Sequence, residues 1–350
     1  MRSALVLGGT GSLCSTVEQL ARDGWQVSVT GRRPEAVPAD WDGLGVRFHA
    51  VDRGEADGVG HLVGAGFDLV VDGQCYTPEQ AKDLATWSRR CGSTVMLSAK
   101  AVYVDARGRH LNSDEPPPWD GPTTESQRTM PFHGEHYASR EGYGANKAEA
   151  ERVLLATGAR VSVLRPSKIH GPGVRHVREW AIIQRVLDGC TVLPVRDGDR
   201  VEATTSTAVL ADAVRACASA PATRLLNVAD AHPQPARHLA ALVARAAGGE
   251  LQQVDVDASW PPAVGRLPWT HDNTLDTHAL TDLGVQSATF AETIGQEVGW
   301  IIGLASRRGH RAWQLPGWIE AQRPDYETEA AWWRAEGAPA AAAPYPPRAR

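Results

Sequence analysis

The chain has 350 residues, with 36 basic and 41 acidic side chains, a formal net charge of -5, and 42% hydrophobic and 22% charged content. That length holds one large or two coupled domains, and the composition excludes a disordered or fibrous chain. The mild acidity excludes a protein that coats a polyanion, so nucleic acid is not an expected partner.

Five cysteines are scattered with no Cys-x-x-Cys pair, which fits reduced thiols and not a disulfide framework or a zinc knuckle. Met1–Leu7 runs straight into glycines, too short for a secretory core, and no apolar run approaches the roughly 20 residues of a membrane span. The expected location is the cytoplasm, away from membranes.

Short β-rich runs at Ala4–Leu7, Gln26–Thr30, Val46–Val51, Asp68–Val71, Thr94–Ser98 and Arg160–Leu164 alternate with helix-patterned stretches. This predicts an α/β fold, a Rossmann-like doubly wound parallel sheet with helices on both faces. Residues 1–166 form the expected dinucleotide-binding domain, interrupted by a Pro-, Gly- and Ser-rich loop over 105–142. Residues 167–304 are expected to form mainly a smaller substrate-binding cap, with helices near Thr207–Ala218 and Ala236–Ala247 and a strand near Leu225–Val228. The remaining 305–350 read as an extension carrying Trp313, Trp318, Trp332 and Trp333, whose indoles pack on the body or a dimer mate, with a disordered Ala/Pro-rich end from Gly337.

Gly8-Gly9-Thr10-Gly11 follows the first strand and opens the first helix. Glycines there let a pyrophosphate approach the backbone, and the helix N-terminus supplies N–H donors and positive potential. Cys14 occupies the third position of the motif, where glycine or alanine is usual, and a side chain this small predicts a slight displacement of the cofactor. About 20 residues on, where an acidic residue would select NAD, stand Arg32 and Arg33. Guanidiniums there suit the 2′-phosphate of NADP, so NADP(H) is expected over NAD(H). Asp52, ending the third strand, is placed to accept from an adenine amino group.

Tyr143 and Lys147 share one face of a helix-patterned stretch. A nearby ammonium stabilises phenolate, making such a tyrosine a usable acid or base opposite a carbonyl or alcohol. His133 and His136 lie in a loop with no third ligand, so no metal is expected.

Taken with Leu97-Ser98-Ala99-Lys100-Ala101-Val102-Tyr103 and the run Leu164-Arg165-Pro166-Ser167-Lys168-Ile169-His170-Gly171-Pro172-Gly173, these motifs resemble the extended short-chain dehydrogenases/reductases, the NAD-dependent epimerase/dehydratase family. The resemblance implies an active site in a cleft between two domains, a homodimer, Tyr143 as acid/base, and Lys147 also holding the nicotinamide ribose. The cofactor set is then Gly8, Thr10, Gly11, Ser12, Leu13, Arg32, Arg33, Asp52, Lys147 and Pro166. The substrate set is Ser98, Ala99, Lys100, His170, Arg175, His176 and Arg200, whose cations suit a phosphorylated or nucleotide-linked small molecule.

One departure stands out. The family's catalytic Ser/Thr falls at Ala99, and Ser98 beside it points to the other side of the strand. Thr124, in the long loop, is the expected substitute donor. The leading expectation is an NADPH-preferring reductase acting at a secondary alcohol or ketone of a polar metabolite. The alternatives are a nucleotide-sugar epimerase/dehydratase that retains its cofactor, and a dinucleotide-sensing protein without turnover.

Overall fold

A computed structural model of the chain describes residues 1–308 and 323–335. Its first half runs β1 (Ser3–Leu7), α1 (Cys14–Arg22), β2 (Gln26–Gly31), β3 (Arg47–Ala50), α2 (Ala56–Val63), β4 (Phe67–Asp72), α3 (Pro78–Ser88), β5 (Cys91–Leu97), α4 (Gly142–Leu155) and β6 (Val161–Pro166). The second half adds β7 (Lys168–His170), α5 (Trp180–Leu187), β8 (Val192–Val195), β9 (Thr204–Ser206), α6 (Thr207–Ser219), β10 (Arg224–Val228), α7 (Ala236–Ala246), β11 (Gln252–Asp255), α8 (His278–Asp282) and α9 (Phe290–Arg308).

Two compact units divide the chain, the first comprising Met1–Ile169, Ala203–Ala231 and Asn273–Ala288. It holds a seven-stranded parallel sheet in the order β10-β6-β5-β4-β1-β2-β3. Alternation along β1 sends Ala4 and Val6 into one core with Leu13, Val17 and Val209, and Leu5 and Leu7 into another with Val59, Leu84 and Leu154. Both faces are thus covered, as a parallel sheet requires. The strand order reverses between β1 and β4, and open α/β sheets bind ligands beyond the strand carboxyl ends at such a point.

Helix α6 and strand β10 were expected in the cap. Instead, β10 extends the sheet, pairing with β6 from Arg224↔Ser162 to Val228↔Pro166, and Thr207 at the start of α6 hydrogen-bonds Ser15 of α1 at 2.9 Å. Periodicity identifies a strand and a helix, but not which sheet edge receives them. Between residues 105 and 141 the chain has no helix or strand, and the loop is fastened by isolated bridges Tyr103↔Thr129 and Thr123↔Leu275.

The second unit comprises His170–Glu202, His232–Asp272 and Thr289–Arg350; in its described part β8 and β11 pair in parallel. Inside it Glu179, at the entry to α5, and Glu297 of α9 are buried with His170, whose Nδ1 lies 3.3 Å from Glu297 Oε2. Desolvation, and then the charge of Glu297, push the Glu179 carboxyl up to about 8.

A last helix, Tyr326–Ala335, clasps this unit. Arg185 donates to the Glu329 carboxylate at 2.9 and 2.5 Å, both side chains being buried, and Tyr326 donates to Asp188 at 3.0 Å. Trp332 and Trp333 pack on Trp260, with ring centroids 6.1 and 6.3 Å away. Trp313, Trp318 and the end from Gly337 lie outside the described residues.

Candidate active site

The turn between β1 and α1 has the shape its glycines imply. Gly8 takes a positive φ of 78°, and a Cβ on Gly9 would stand 2.8 Å from Val29 and 2.9 Å from Val17, so only glycine lets the turn sit this close to the core. A Cβ on Gly11 would meet just the Gly8 carbonyl oxygen, 3.7 Å away, leaving the turn open to an approaching ligand. Helix α1 has no side-chain cap and no acidic residue in its first turn, so its positive end is not neutralised. Thr10 and Ser12 are half-buried, whereas Leu13 is 1% exposed with its side chain in the core. Leu13 therefore offers a ligand its backbone alone. Cys14 fills the motif's third position in the same core, its thiol donating to Glu18 at 3.4 Å. These residues fit a dinucleotide pyrophosphate.

Arg32 and Arg33 leave the carboxyl end of β2 exposed to solvent. Arg32 Nε lies 3.7 Å from Asp52 Oδ2, with side chains 66% and 41% exposed; a solvated pair of this kind holds its partners weakly. Asp52 also accepts from the Gly54 N–H at 2.8 Å. Pro166 is buried as the last residue of β6.

Helix α4 carries Tyr143, half-buried, and Lys147, 1% exposed. Gly144 between them explains the docking: a Cβ there would collide with the Ala101 carbonyl and Met130 Sδ, so glycine lets the helix lie against the short turn Lys100–Val102. The Lys147 ammonium donates to the carbonyls of Cys75 at 2.8 Å and Leu97 at 2.7 Å. Burial depresses its pKa below the ordinary lysine value, opposed by Cys75, Asp72 and Glu151. Around it stand aromatic residues that the sequence reading missed. The Tyr76 ring lies 4.5 Å from the ammonium, stacks on Tyr137 at 5.7 Å, and is 6.5 Å from the Tyr143 ring. A single tyrosine after a strand has no pattern to betray it.

Ala99 is extended, with φ −163° and ψ 154°, and caps the turn at Lys100, which is itself buried. Ser98, expected in the substrate set, has its hydroxyl occupied: it donates to the buried carboxylate of Glu151, which Arg165 also grips at 2.5 Å. Thr124 is exposed and shares a 2.8 Å hydrogen bond with Ser126. Its neighbours are anchored, Thr123 N donating to Thr274 O at 2.9 Å and Glu125 Oε1 accepting from Asn227 N at 2.7 Å.

Two more of the expected substrate residues have partners of their own. His170 is 1% exposed inside the second unit, in the cluster with Glu179 and Glu297, so burial removes it from reach of a dissolved ligand. Arg200 is paired with Asp272 at 2.6 Å, with side chains 45% and 55% exposed, a solvated contact that a ligand could displace. Arg175 and His176 are exposed on the second unit. Among the described residues, no group of three or more His, Cys, Asp or Glu could hold a metal ion, and no helix is long and apolar enough to cross a membrane.

The sequence profile described as the NAD dependent epimerase/dehydratase family matches residues 4–229. The chain belongs to this family. Curated protein sequences give no match, but solved structures of epimerases and dehydratases share the fold. A dTDP-glucose 4,6-dehydratase from Bacillus anthracis in complex with NAD superposes with a TM-score of 0.66 at 14% identity, over 87% of this chain and 98% of that one. A UDP-glucose 4-epimerase from Thermotoga maritima with UDP-glucose gives 0.64 at 16% identity, over 86% and 99%. A UDP-glucuronic acid 4-epimerase from Bacillus cereus in complex with UDP-glucuronic acid and NAD gives 0.64 at 14% identity, over 86% and 99%. Alanine stands at position 99, where the resemblance placed a catalytic Ser/Thr.

Proposed function

We propose that this epimerase/dehydratase-family protein moves a hydride at a secondary carbinol of a nucleotide-linked sugar, with a nicotinamide dinucleotide that is regenerated in each cycle. The observation that carries it is Lys147, fully buried on the same face of α4 as Tyr143 with its ammonium fixed by two backbone carbonyls. The turn at Gly8, Thr10, Gly11 and Ser12 would hold the pyrophosphate, the Arg32–Arg33 pair with Asp52 the adenosine end, and Lys147 the nicotinamide ribose. The bound cofactor would supply the hydride acceptor and donor.

Tyr143 takes the proton of the substrate hydroxyl in the oxidising direction and returns it in the reducing one. Lys147 favours the phenolate by its charge and so brings that exchange within reach of neutral pH. Thr124 is the proposed donor to the substrate oxygen in place of the hydroxyl absent at Ala99. The nucleotide-linked substrate is supported by the ligands named for the fold's solved relatives.

A second reading, net reduction with NADPH, is favoured by the two exposed guanidiniums after β2. Incubation of the purified chain with UDP- and dTDP-sugars and deuterated cofactor, followed by mass spectrometry and cofactor assay, separates the two. Product formed with catalytic cofactor supports the first reading. One cofactor oxidised per product, with deuterium in the product, replaces it by the second. No product and no isotope exchange with any sugar nucleotide overturns the proposed substrate class.

A further inference from the structure

The Lys147 ammonium sits where both nearby carboxylates are already committed. Asp72, at the end of β4, accepts from Arg53 at 2.7 Å, and Glu151, one turn along α4, is bound by Arg165 and Ser98. The other titratable groups around it are the Cys75 thiol, pushed up to about 12 by burial, and the phenols of Tyr76 and Tyr143; β5 presents the Leu97 carbonyl. A buried ammonium with so little available negative charge is costly, because desolvation penalises the charged form.

The Tyr76 ring face answers that cost. Its centroid is 4.5 Å from Nζ, inside the range at which an aromatic quadrupole attracts a cation, and the attraction grows when the pair is desolvated. The ring's place is set from below. Tyr76 N–H donates to Gln80 Oε1 at 2.7 Å, and Thr77 and Gln80 form the capping box that starts α3. The turn that supplies the Cys75 carbonyl to Lys147 therefore also supplies the ring, against which Tyr137 stacks.

We propose that Tyr76 is a positioning residue for Lys147, its ring face holding the ammonium charged and aimed across the Cys75 and Leu97 carbonyls. The inference rests on the role given to Lys147 above and adds a residue on which that role depends. Removing the ring leaves burial with less opposition, so the ammonium gives up its proton at lower pH.

The test follows the 13Cε resonance of Lys147 through a pH titration of the full chain, assigned by its disappearance in Lys147→Arg. Tyr76→Phe keeps the face and is expected to titrate with the wild type. Tyr76→Leu is expected to lose the charge at least about one pH unit lower, a tenfold fall in proton affinity. If Tyr76→Leu does not fold, as judged by circular dichroism, Tyr76→Met takes its place with the same expectation. A ring-less variant titrating with the wild type overturns the proposal, and so does a Phe variant shifted as far as Leu. The resonance needs neither cofactor nor substrate. Loss of the proposed chemistry, seen as undiminished turnover in Tyr143→Phe, would thus be distinguishable from loss of this contact.

Discussion

Arg165 binds Glu151 through two prongs, Nε to Oε1 at 3.0 Å and Nη2 to Oε2 at 2.5 Å, with both side chains under 5% exposed. Its remaining nitrogen, Nη1, donates to the Glu125 carbonyl at 3.1 Å, so a single guanidinium ties the helix of Tyr143 and Lys147 to the loop that carries Thr124. Arg165→Met would leave the Glu151 charge buried without its partner, a defect that typically costs about 3–5 kcal/mol. Urea unfolding should show a loss of that size, and a loss below about 1 kcal/mol would mean that the pair is replaceable by packing.

Thr124→Val keeps the shape of the side chain and removes its hydroxyl. A donor aimed at a developing alkoxide is worth about 2.7–4 kcal/mol at best, so turnover should fall at least roughly tenfold with cofactor affinity unchanged. Ala99→Ser in that background should recover part of the loss. Steady-state kinetics that do not change in Thr124→Val would pass the role to Tyr143 or to water.

Tyr143→Phe should lower turnover by about 10²–10⁴-fold, the usual worth of a general acid, while cofactor binds as before. Lys147→Met should weaken both, and fluorescence titration of the reduced cofactor separates the two effects. A Tyr143→Phe protein retaining more than about a tenth of the rate would place the proton on another group.

NADPH should bind at least roughly tenfold more tightly than NADH, a difference of about 1.4 kcal/mol that one charge-assisted contact can supply. The double variant Arg32→Ala/Arg33→Ala should erase that preference in a calorimetric titration. Equal affinities in the unaltered protein would leave the two arginines as solvated surface.

Stability should fall on the alkaline side through Glu179. Its folded-state pKa is raised from 4.5 to about 8 by desolvation and by Glu297, so the folded state favours the protonated form. The associated stability is present in full below the ordinary carboxyl pKa and drains away as pH climbs through about 8. Glu179→Gln cannot ionise. Its melting temperature should therefore match the wild type near pH 5 and exceed it near pH 9, and parallel melting curves across that range would refute the assignment.

The sheet was legible because its signals are local. Ala4–Leu7 and its successors are short apolar runs, and Gly8 and Gly9 mark the turn whose backbone only glycine tolerates. What failed were assignments that depend on partners far along the chain. Ser98 looked free until Glu151, 53 residues away, claimed its hydroxyl, and the pairing of Arg200 with Asp272, 72 residues on, had no local signal either. His170 sits beside a glycine turn in the sequence, yet its ring belongs to the interior with Glu297 and Phe290. Strand β10 carried a correct local pattern, but nothing within it says that it closes the edge of β6.

That edge bears on how the chain is made. Each unit is stitched from three separate stretches, and β6, whose residues Val161–Pro166 are all buried in the finished sheet, waits for Arg224–Val228 to cover its outer side. During synthesis from the N-terminus, six strands can assemble while the seventh is still inside the ribosome or unmade. Any nascent or truncated chain ending between Ser167 and Val228 therefore presents an apolar strand with unpaired backbone groups, the kind of edge at which chains join one another. A closed sheet edge in the first unit thus requires translation to pass β10, and its core is complete only when Leu280 and Val285 of the third stretch arrive.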